Sequence, residues 1–432
     1  MTDWSLIICG DWAPIGGPER SLIIDPVSYY GDLLPILRSG DLAIVNVEGA
    51  ITDADLLPIQ KDGVSIRIPT DLLTGLSVVP FHLACLANNH SFDYGLAGFL
   101  STKKELSRKG INVVGAGETA QETLAPQFFS FGETRFALLN IAEGEEGRFT
   151  GGGAGVASLD LVKICAQIAD LKRQVDLIAV IVHAGREYLP VPAPYIQAAF
   201  RSMAAAGAKL IVGHHPHVPQ GRETYHGAEI MYSLGNFAFW FEPPTGRQKT
   251  GYFVKACFHG QELAQVETWP YSIHQEGLRL LQGEERDSFD RDLDRLSEFI
   301  SRHGCLEIIW KAYSDRWFEK RGIDELGENV ARLIGISKTL EAVLKLAVSE
   351  YSGSRIKDRL ARALIWRLLH RLKKQKTRDT RSLDKAAAIL RNRFDTPAHR
   401  EVYLLALKRV MDHANGNAPQ WAYDLVDEWQ AL

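Results

Sequence analysis

The stretch KLIVGHHPH, residues 209–217, places three histidines within four positions directly after a short apolar run. Such a run is typical of a buried β-strand, whereas three histidines so close together rarely serve packing alone. On an extended segment His215 and His217 would point to the same side, because side chains alternate along a strand. We therefore predict a strand with metal-binding imidazoles at its carboxyl end, the edge at which open α/β sheets bind ligands.

Four other segments also combine a preceding apolar run with residues that bind metal ions. They are Gly10-Asp11, Asn46-Val47-Glu48, Asn88-Asn89-His90 with Asp93, and His183-Ala184-Gly185-Arg186-Glu187. Carboxylate oxygen, imidazole nitrogen and amide oxygen together form a mixed set that borderline divalent metals accept. Each segment alone is a weak signal, but five of them at strand ends in one domain are hard to attribute to coincidence. A metal-dependent enzyme is the leading interpretation.

The first 275 residues alternate between short apolar runs and helical patterns, which favours an α/β layered domain. The predicted strands are Leu6–Cys9, Leu42–Val47, His82–Leu86, Asn112–Val114, Phe136–Ile141, Leu177–Val182, Leu210–Val212, Ile230–Ser233, Tyr252–Phe258 and Leu263–Thr268. The predicted helices include Gly95–Lys109, Leu159–Arg173 and Pro194–Ala206. Because the later strands follow one another without helices, part of the sheet is expected to be antiparallel.

From residue 285 to 432 proline and glycine become rare and helical apolar spacing dominates, which predicts a helical C-terminal region. Within it, residues 355–381 carry eleven Lys or Arg against two acids. A basic amphipathic helix can dock on a membrane or an acidic partner, but a solvated helix face is the favoured interpretation. The glycine-rich loop 143–155 could close over a site as a lid, and a plain surface loop is again favoured.

Composition and charge narrow the class of protein. Hydrophobic residues make up 46% and charged residues 24%, and the net charge of −4 gives no general attraction to nucleic acid. The five cysteines are far apart, as expected for reduced thiols. We expect neither a signal peptide nor a transmembrane helix. These features predict a cytoplasmic protein without a nucleic-acid partner, and they leave the oligomeric state open.

Taken in order, the motifs resemble the CapA, or poly-γ-glutamate synthesis, family of the calcineurin-like metallophosphoesterase superfamily. The matching stretches are GDW (10–12), NVEG (46–49), LANNHSFDYG (86–95), HAGREY (183–188), GHHPHVPQG (213–221) and YSLGNF (232–237). The resemblance implies an α/β fold, a four-layer αββα metallophosphoesterase-like sandwich over residues 1–275, followed by the helical domain 285–432. It also implies two divalent metal ions, for which Mn, Zn and Fe all suit the ligands.

The resemblance also assigns roles to individual residues. Glu48 would bridge the two metals in place of the usual Asp, Asp11 and His217 would bind the first metal, and Asn89, His183 and His215 the second. His90 would act as general acid, oriented by Asp93. The remaining candidates would contact substrate or support the ligands, and they are Asn46, Asn88, Glu187, His214 and Asn236.

The chain departs from the superfamily at its first motif. The pattern Asp-x-His is here Asp11-Trp12-Ala13, so the first metal would lack one ligand. Either His214 or Glu187 fills the gap, or the first site is weak or empty. For Glu187 a salt bridge with Arg186 or a ligand histidine is an equal alternative, and for Asn236 the alternative is a turn-forming residue.

Three functional hypotheses follow from these motifs. The first is a metal-dependent hydrolase, with His90 protonating the leaving group of a γ-glutamyl or peptide amide, or of an ester, in a polymer or peptide precursor. A phosphate substrate is disfavoured because the motifs supply only Arg186 and Arg222 as cations. The second hypothesis is a peptide epimerase that uses acid/base chemistry at an α-carbon. The third is a non-catalytic subunit of a polymer-synthesis complex.

Overall fold

The computed structural model describes residues 2–61, 63–143, 153–240, 246–317, 396–397, 399–402, 404–405 and 418–431. The basic stretch 355–381 and most of the loop 143–155 lie outside the described residues, so their predicted roles stay predictions. None of the described helices is both long enough and apolar enough to cross a membrane.

The described strands are short and mostly buried. They are β1 (Asp3–Ala13), β2 (Leu42–Val47), β3 (Ala50–Ile51), β4 (Arg67–Ile68), β5 (Leu83–Cys85), β6 (Asn112–Val114), β7 (Ala116–Gly117), β8 (Gln127–Phe131), β9 (Thr134–Ala142), β10 (Gly155–Val156), β11 (Leu177–His183), β12 (Leu210–His214), β13 (Arg222–Tyr225), β14 (Ala228–Met231), β15 (Asn236–Phe239), β16 (Thr250–His259), β17 (Glu262–Ile273) and β18 (Leu278–Leu280).

The described α-helices lie between these strands and after them. They are α1 (Glu19–Ile24), α2 (Pro26–Tyr30), α3 (Leu34–Leu37), α4 (Leu73–Ser77), α5 (Gly95–Arg108), α6 (Ala120–Leu124), α7 (Leu161–Leu171), α8 (Pro194–Ala206), α9 (Gly283–Ser301), α10 (Cys305–Trp317) and α11 (Gln420–Ala431).

Two mixed sheets carry the fold. The first has the order β18-β17-β16-β1-β2-β5-β6, with β15 also paired to β1. The second has the order β13-β14-β12-β11-β9-β8. In the first sheet β1, β2, β5 and β6 are parallel, whereas β16, β17 and β18 are antiparallel to their neighbours. In the second sheet β9, β11, β12 and β14 are parallel, and the outer strands β8 and β13 are antiparallel to theirs. The carboxyl ends of β1, β2 and β5 therefore share one edge of the first sheet, and those of β11 and β12 share one edge of the second.

Alternation of side chains along the strands builds the layers. Ile8 and Ile44 of the first sheet pack against Leu138 and Ile181 of the second, in one core between the sheets. Their sequence neighbours point the other way, so that Ile7 and Val45 pack with Phe99 of α5 in a second core. On the far side of the second sheet, Phe200 of α8 stacks on Tyr232 with 5.2 Å between ring centroids. The predicted four-layer αββα sandwich is confirmed.

The predicted elements correspond closely to the observed ones. Each of the ten predicted strands overlaps an observed strand, and the three predicted helices are α5, α7 and α8. The antiparallel pairing expected among the later strands is present in β16, β17 and β18. The described part of residues 1–306, apart from 60–64, forms one compact unit that contains α9, and the described part of 307–431 belongs to a second unit. The sequence-based domain boundary between 275 and 285 stays a prediction.

Candidate metal centre

Asp11 lies within strand β1 and not after its end, yet it occupies the middle of the candidate site. The sequence predicted a strand that stops at Cys9, but β1 continues to Ala13, with a register shift between Cys9 and Asp11 where it pairs with β2. β15 pairs with the same stretch, with Asp11 opposite Asn236. The close approach requires glycine at position 10, where a Cβ would lie 2.1 Å from the carbonyl oxygen of Gly235.

Glu48 follows β2 directly and lies among imidazoles. Its Oε1 is 3.5 Å from Nε2 of His183, 3.7 Å from Nε2 of His217 and 3.9 Å from Nε2 of His90. The Glu48 and Asp11 side chains are both 0% exposed. A carboxylate buried this completely needs compensating charge or hydrogen bonds. The Glu48 carboxylate is thus close enough to three imidazoles to bind the same metal ions as they do.

The remaining predicted ligands converge on the same point from the second sheet. His183 is the last residue of β11, and its Nε2 lies 2.9 Å from Asn89 Oδ1 and 3.1 Å from His215 Nδ1. Among the described residues, three groups of side chains bring their ligand atoms within 4.8 Å of one another. These groups are Glu48 with His183 and His215, Asp11 with Glu48 and His217, and Glu187 with His215 and His217. Two of the three groups share Glu48.

The two histidines after β12 converge by a different route from the expected one. The sequence predicted an extended segment, but His215 has φ of +94° and His217 φ of +57°. Residues other than glycine rarely adopt positive φ, and those that do occur in turns and are enriched at functional sites. The two rings still lie close, with 5.9 Å between centroids. A turn around Pro216, not strand alternation, therefore points both imidazoles into the site.

His90 and Asp93 form a buried pair in the loop between β5 and α5. His90 Nδ1 lies 2.7 Å from Asp93 Oδ2, which also accepts a hydrogen bond from the backbone N–H of Ile66 at 2.6 Å. Asn88 accepts from the backbone N–H of His90 at 3.1 Å and donates to the carbonyl of Val47 at 2.8 Å. The loop is thereby fastened to the end of β2, beside Glu48.

Three further predicted residues form hydrogen bonds or close contacts with the predicted ligands. Asn46 donates to Asp11 Oδ1 at 2.7 Å, and His214 Nδ1 lies 3.1 Å from the same oxygen. Asn236, the first residue of β15, places its Oδ1 2.9 Å from His217 Nδ1. Each of these contacts restricts the orientation of a predicted ligand, as residues around metal sites commonly do.

Sequence reasoning missed two buried polar residues that hold the loops. Asn140 accepts from the backbone N–H of Ala87 at 2.7 Å, which ties the loop after β5 to the second sheet. Glu143 accepts from the Tyr195 hydroxyl at 2.7 Å and from the backbone N–H of Gly185 at 3.0 Å. For Asn140 a signal was available, because an amide interrupts the apolar run FALLNIA. Glu143 was considered only as part of a glycine-rich loop.

Burial and neighbouring charges shape the protonation of the site. Burial by itself raises the pKa of Asp11, but the hydrogen bond and charge of His214, together with His183 and His217, hold that pKa below its usual range. Burial, followed by the charge of His215, lowers the pKa of His183 well below its ordinary value. At neutral pH His183 is therefore an uncharged imidazole, the form in which histidine binds a metal.

The donor set fits divalent metal ions on chemical grounds. Two fully buried carboxylates face imidazoles, at least one of which is held neutral, so a cation would supply the missing positive charge. Nitrogen and oxygen donors in this mixture suit Mn, Zn and Fe. The residues brought together therefore form a candidate metal centre, in which Glu48 belongs to two of the donor groups.

Two solved structures show partial similarity to this chain. A putative 5'-nucleotidase from Staphylococcus aureus matches with a TM-score of 0.40 and 15% identity, over 74% of this chain and 66% of that chain. A hypothetical protein from Thermus thermophilus matches with a TM-score of 0.39 and 13% identity, over 62% of this chain and 100% of that chain. The fold assignment rests on the strand order and layers described above.

Curated relatives match the first part of the chain. The PGA biosynthesis protein CapA of Bacillus subtilis is 28% identical over 253 residues, which cover 57% of this chain and 66% of that protein. The capsule biosynthesis protein CapA of Bacillus anthracis is 32% identical over 255 residues, 56% of this chain and 60% of that protein. The chain thus spans less than two thirds of either relative.

The family comparison agrees with the motifs on which the resemblance was based. The matched region runs from residue 5 to residue 240. It includes β1 with Asp11, the loop with His90, and the turn with His215 and His217. Because the match covers more than half of the chain, the protein belongs to the family of bacterial capsule synthesis proteins, PGA_cap.

Proposed function

We propose that this chain is a metal-dependent hydrolase that cleaves an amide bond, γ-glutamyl or peptide, through a dinuclear metal centre. The observation that carries the proposal is the sharing of Glu48 between two donor groups, with His90 Nε2 3.9 Å from the same carboxylate oxygen. A shared carboxylate is the arrangement that two-metal hydrolases need. Divalent ions bound there would polarise a substrate oxygen and lower the pKa of water to about 7.

The protein's own residues supply orientation and a proton. Because Nδ1 of His90 is engaged by Asp93 at 2.7 Å, Nε2 is the ring nitrogen that faces Glu48, and a proton bound there would face the donor groups. An imidazolium in this orientation would donate that proton to the nitrogen of the leaving amine. Asn88 fixes the backbone of His90, and Asn46 fixes Asp11, so the acid and the ligands are held before substrate arrives.

The choice of substrate class rests on family membership and on the names of the relatives. The relatives in Bacillus are named for biosynthesis of capsule and of PGA. Poly-γ-glutamate is joined by amide bonds, which a polarised carbonyl and a general acid would cleave. We therefore propose a γ-glutamyl or related peptide precursor as the substrate, in preference to a phosphate ester.

The test compares wild-type protein with His90→Ala on γ-glutamyl oligomers, with metal content measured in parallel. We expect wild-type protein to contain divalent metal and release amine, and His90→Ala to keep the metal while turnover falls about 10²–10⁴-fold. His226→Asn is the matched control, because His226 lies in the turn between β13 and β14. Unchanged turnover in His90→Ala would show that His90 is not the general acid.

Two outcomes would favour the other hypotheses from the sequence. Deuterium incorporated at an α-carbon from deuterated water, without cleavage, would identify an epimerase. Purified wild-type protein that takes up no stoichiometric metal under any divalent-ion condition would favour a non-catalytic subunit. A phosphodiester substrate is tested in parallel, because preferential cleavage of a phosphodiester would overturn the proposal of an amide substrate.

A further inference from the structure

We infer that Glu187 is the metal ligand that takes the place of the histidine missing from the first motif. The inference rests on the two-metal centre proposed above and assigns a ligand to its incomplete half. The first donor group consists of Asp11, Glu48 and His217. The second donor group consists of Glu48, His183 and His215. Asn89 can add a fourth ligand to it, because its Oδ1 is 2.9 Å from His183 Nε2. The first site is thus one ligand short.

Ala13 cannot supply the missing metal ligand. Its methyl group has no donor atom, and the residue is 0% exposed at the end of β1, opposite Phe239 of β15. A replacement ligand must therefore come from a different segment that reaches His217. Among the described residues, the only donor group that contains His217 without Asp11 is the one formed by Glu187, His215 and His217.

Backbone hydrogen bonds hold the Glu187 segment against the histidine turn. The N–H of Tyr188 donates to the carbonyl of Pro216 at 2.8 Å, and the N–H of Ala184 donates to the carbonyl of His214 at 3.0 Å. Glu187 lies between these two contacts in the sequence. Its carboxylate is thereby kept within 4.8 Å of ligand atoms of both imidazoles.

The backbone conformation at this junction supports a functional role. Among the described residues, four other than glycine have positive φ, and three of them are Tyr188 at +63°, His215 at +94° and His217 at +57°. Such conformations persist where the surroundings enforce them, and they cluster at ligand-binding sites. Here they occur on the two segments that bring Glu187 to His215 and His217. Glu187 is half-buried, unlike Asp11 and Glu48, so it would complete the centre on its more open side.

The geometry favours Glu187 over His214, the other candidate from the sequence. His214 Nδ1 lies 3.1 Å from Asp11 Oδ1, an oxygen that also accepts from Asn46. In the part of the chain that the structure describes, His214 belongs to none of the three donor groups. We assign it the role of positioning Asp11.

Metal binding by the full-length chain tests the assignment independently of activity. Chelator-treated protein is titrated with Mn²⁺, and bound metal is counted by elemental analysis and by the loss of free Mn²⁺ signal in electron paramagnetic resonance. We expect two Mn²⁺ per chain for wild type. For Glu187→Gln we expect one site unchanged and the other weakened at least about tenfold. Glu187→Asp, which keeps a carboxylate, should lie between the two.

Glu122→Gln on exposed α6 is the matched control and should bind both ions as wild type does. Circular dichroism verifies that every variant is folded. Two sites of wild-type affinity in Glu187→Gln would overturn the assignment while leaving the proposed hydrolase intact. Wild-type protein that binds no Mn²⁺, Zn²⁺ or Fe²⁺ would instead overturn the proposed function, and this inference with it.

Discussion

His183 illustrates how burial prepares a single residue for metal chemistry. The side chain is 2% exposed at the end of β11, and burial together with the charge of His215 lowers its pKa well below the ordinary value. A neutral ring costs less to bury than a charged one, and it presents a lone pair to a cation. The sequence marked His183 as a ligand candidate, but its neighbour His215 comes from a segment 32 positions away, so the cause of the shift required the fold.

The lowered pKa of His183 predicts that acid destabilises the metal-free protein. An unfolded histidine binds a proton below about pH 6.5, and folded His183 does not, so the unfolded state binds more protons as pH falls. We expect the free energy of unfolding to decrease below about pH 6.5 by up to about 1.4 kcal/mol per pH unit from this residue. Urea unfolding in the presence of chelator, from pH 7 to pH 4.5, measures the slope.

The histidine variants separate this effect from the remaining titrations. His183→Asn should flatten the dependence on pH, whereas His226→Asn should leave it unchanged, since its ring lies in a turn. The pKa of Asp11 is also lowered, but the stability that Asp11 contributes is lost only below its ordinary range near pH 4. A wild-type slope in His183→Asn would show that another group controls the acid response.

At the scale of elements, the existence of the long buried strands was predictable, and the contacts between distant strands were not. Apolar runs located β2, β5 and β12 within two residues, because burial on both faces leaves a continuous apolar signal. β15 has four residues, and its parallel pairing with β1 depends on a glycine contact far away in the sequence. The left-handed turn of His215 and His217 was likewise hidden, since no glycine marks it.

Gly10 tests the coupling between this pairing and the metal centre. In Gly10→Ala the new Cβ would lie 2.1 Å from the backbone oxygen of Gly235, so β1 and β15 must separate beside Asp11. We expect a loss of about 1–3 kcal/mol in the free energy of unfolding and weaker Mn²⁺ binding. Denaturant unfolding and metal titration on the same sample provide both quantities.

Gly110→Ala is the control at the element scale. Gly110 has φ of +75°, and a methyl group added there would meet no other atom within 4 Å, so alanine at this position is strained but not crowded. It should cost about 1–2 kcal/mol and leave Mn²⁺ binding intact. If Gly10→Ala binds Mn²⁺ as tightly as Gly110→Ala does, the β1–β15 contact does not position Asp11.

At the scale of the molecule, the sandwich followed from the order of strands and helices, and the predicted family is confirmed. The resemblance to a known family predicted that these segments meet, but the local sequence patterns alone do not show that two sheets meet at one point. Asp11 and Glu48 come from the first sheet, whereas His183 and His217 come from the second. Contacts that span 203 positions, as between Asp11 and His214, carry no local signal.

Because the centre joins both sheets, metal binding should stabilise the sandwich as a whole. An ion that binds only the folded state adds about 2.7 kcal/mol at a hundredfold excess over its Kd. For a unit of this size we expect the thermal midpoint to rise by about 5–10 °C. Differential scanning calorimetry of the full chain with Mn²⁺ or with chelator measures the shift. Glu48→Gln, which removes the charge shared by two donor groups, should abolish most of it, whereas Glu122→Gln on exposed α6 should retain it. An equal shift in Glu48→Gln would mean that the ions stabilise the protein from some other place.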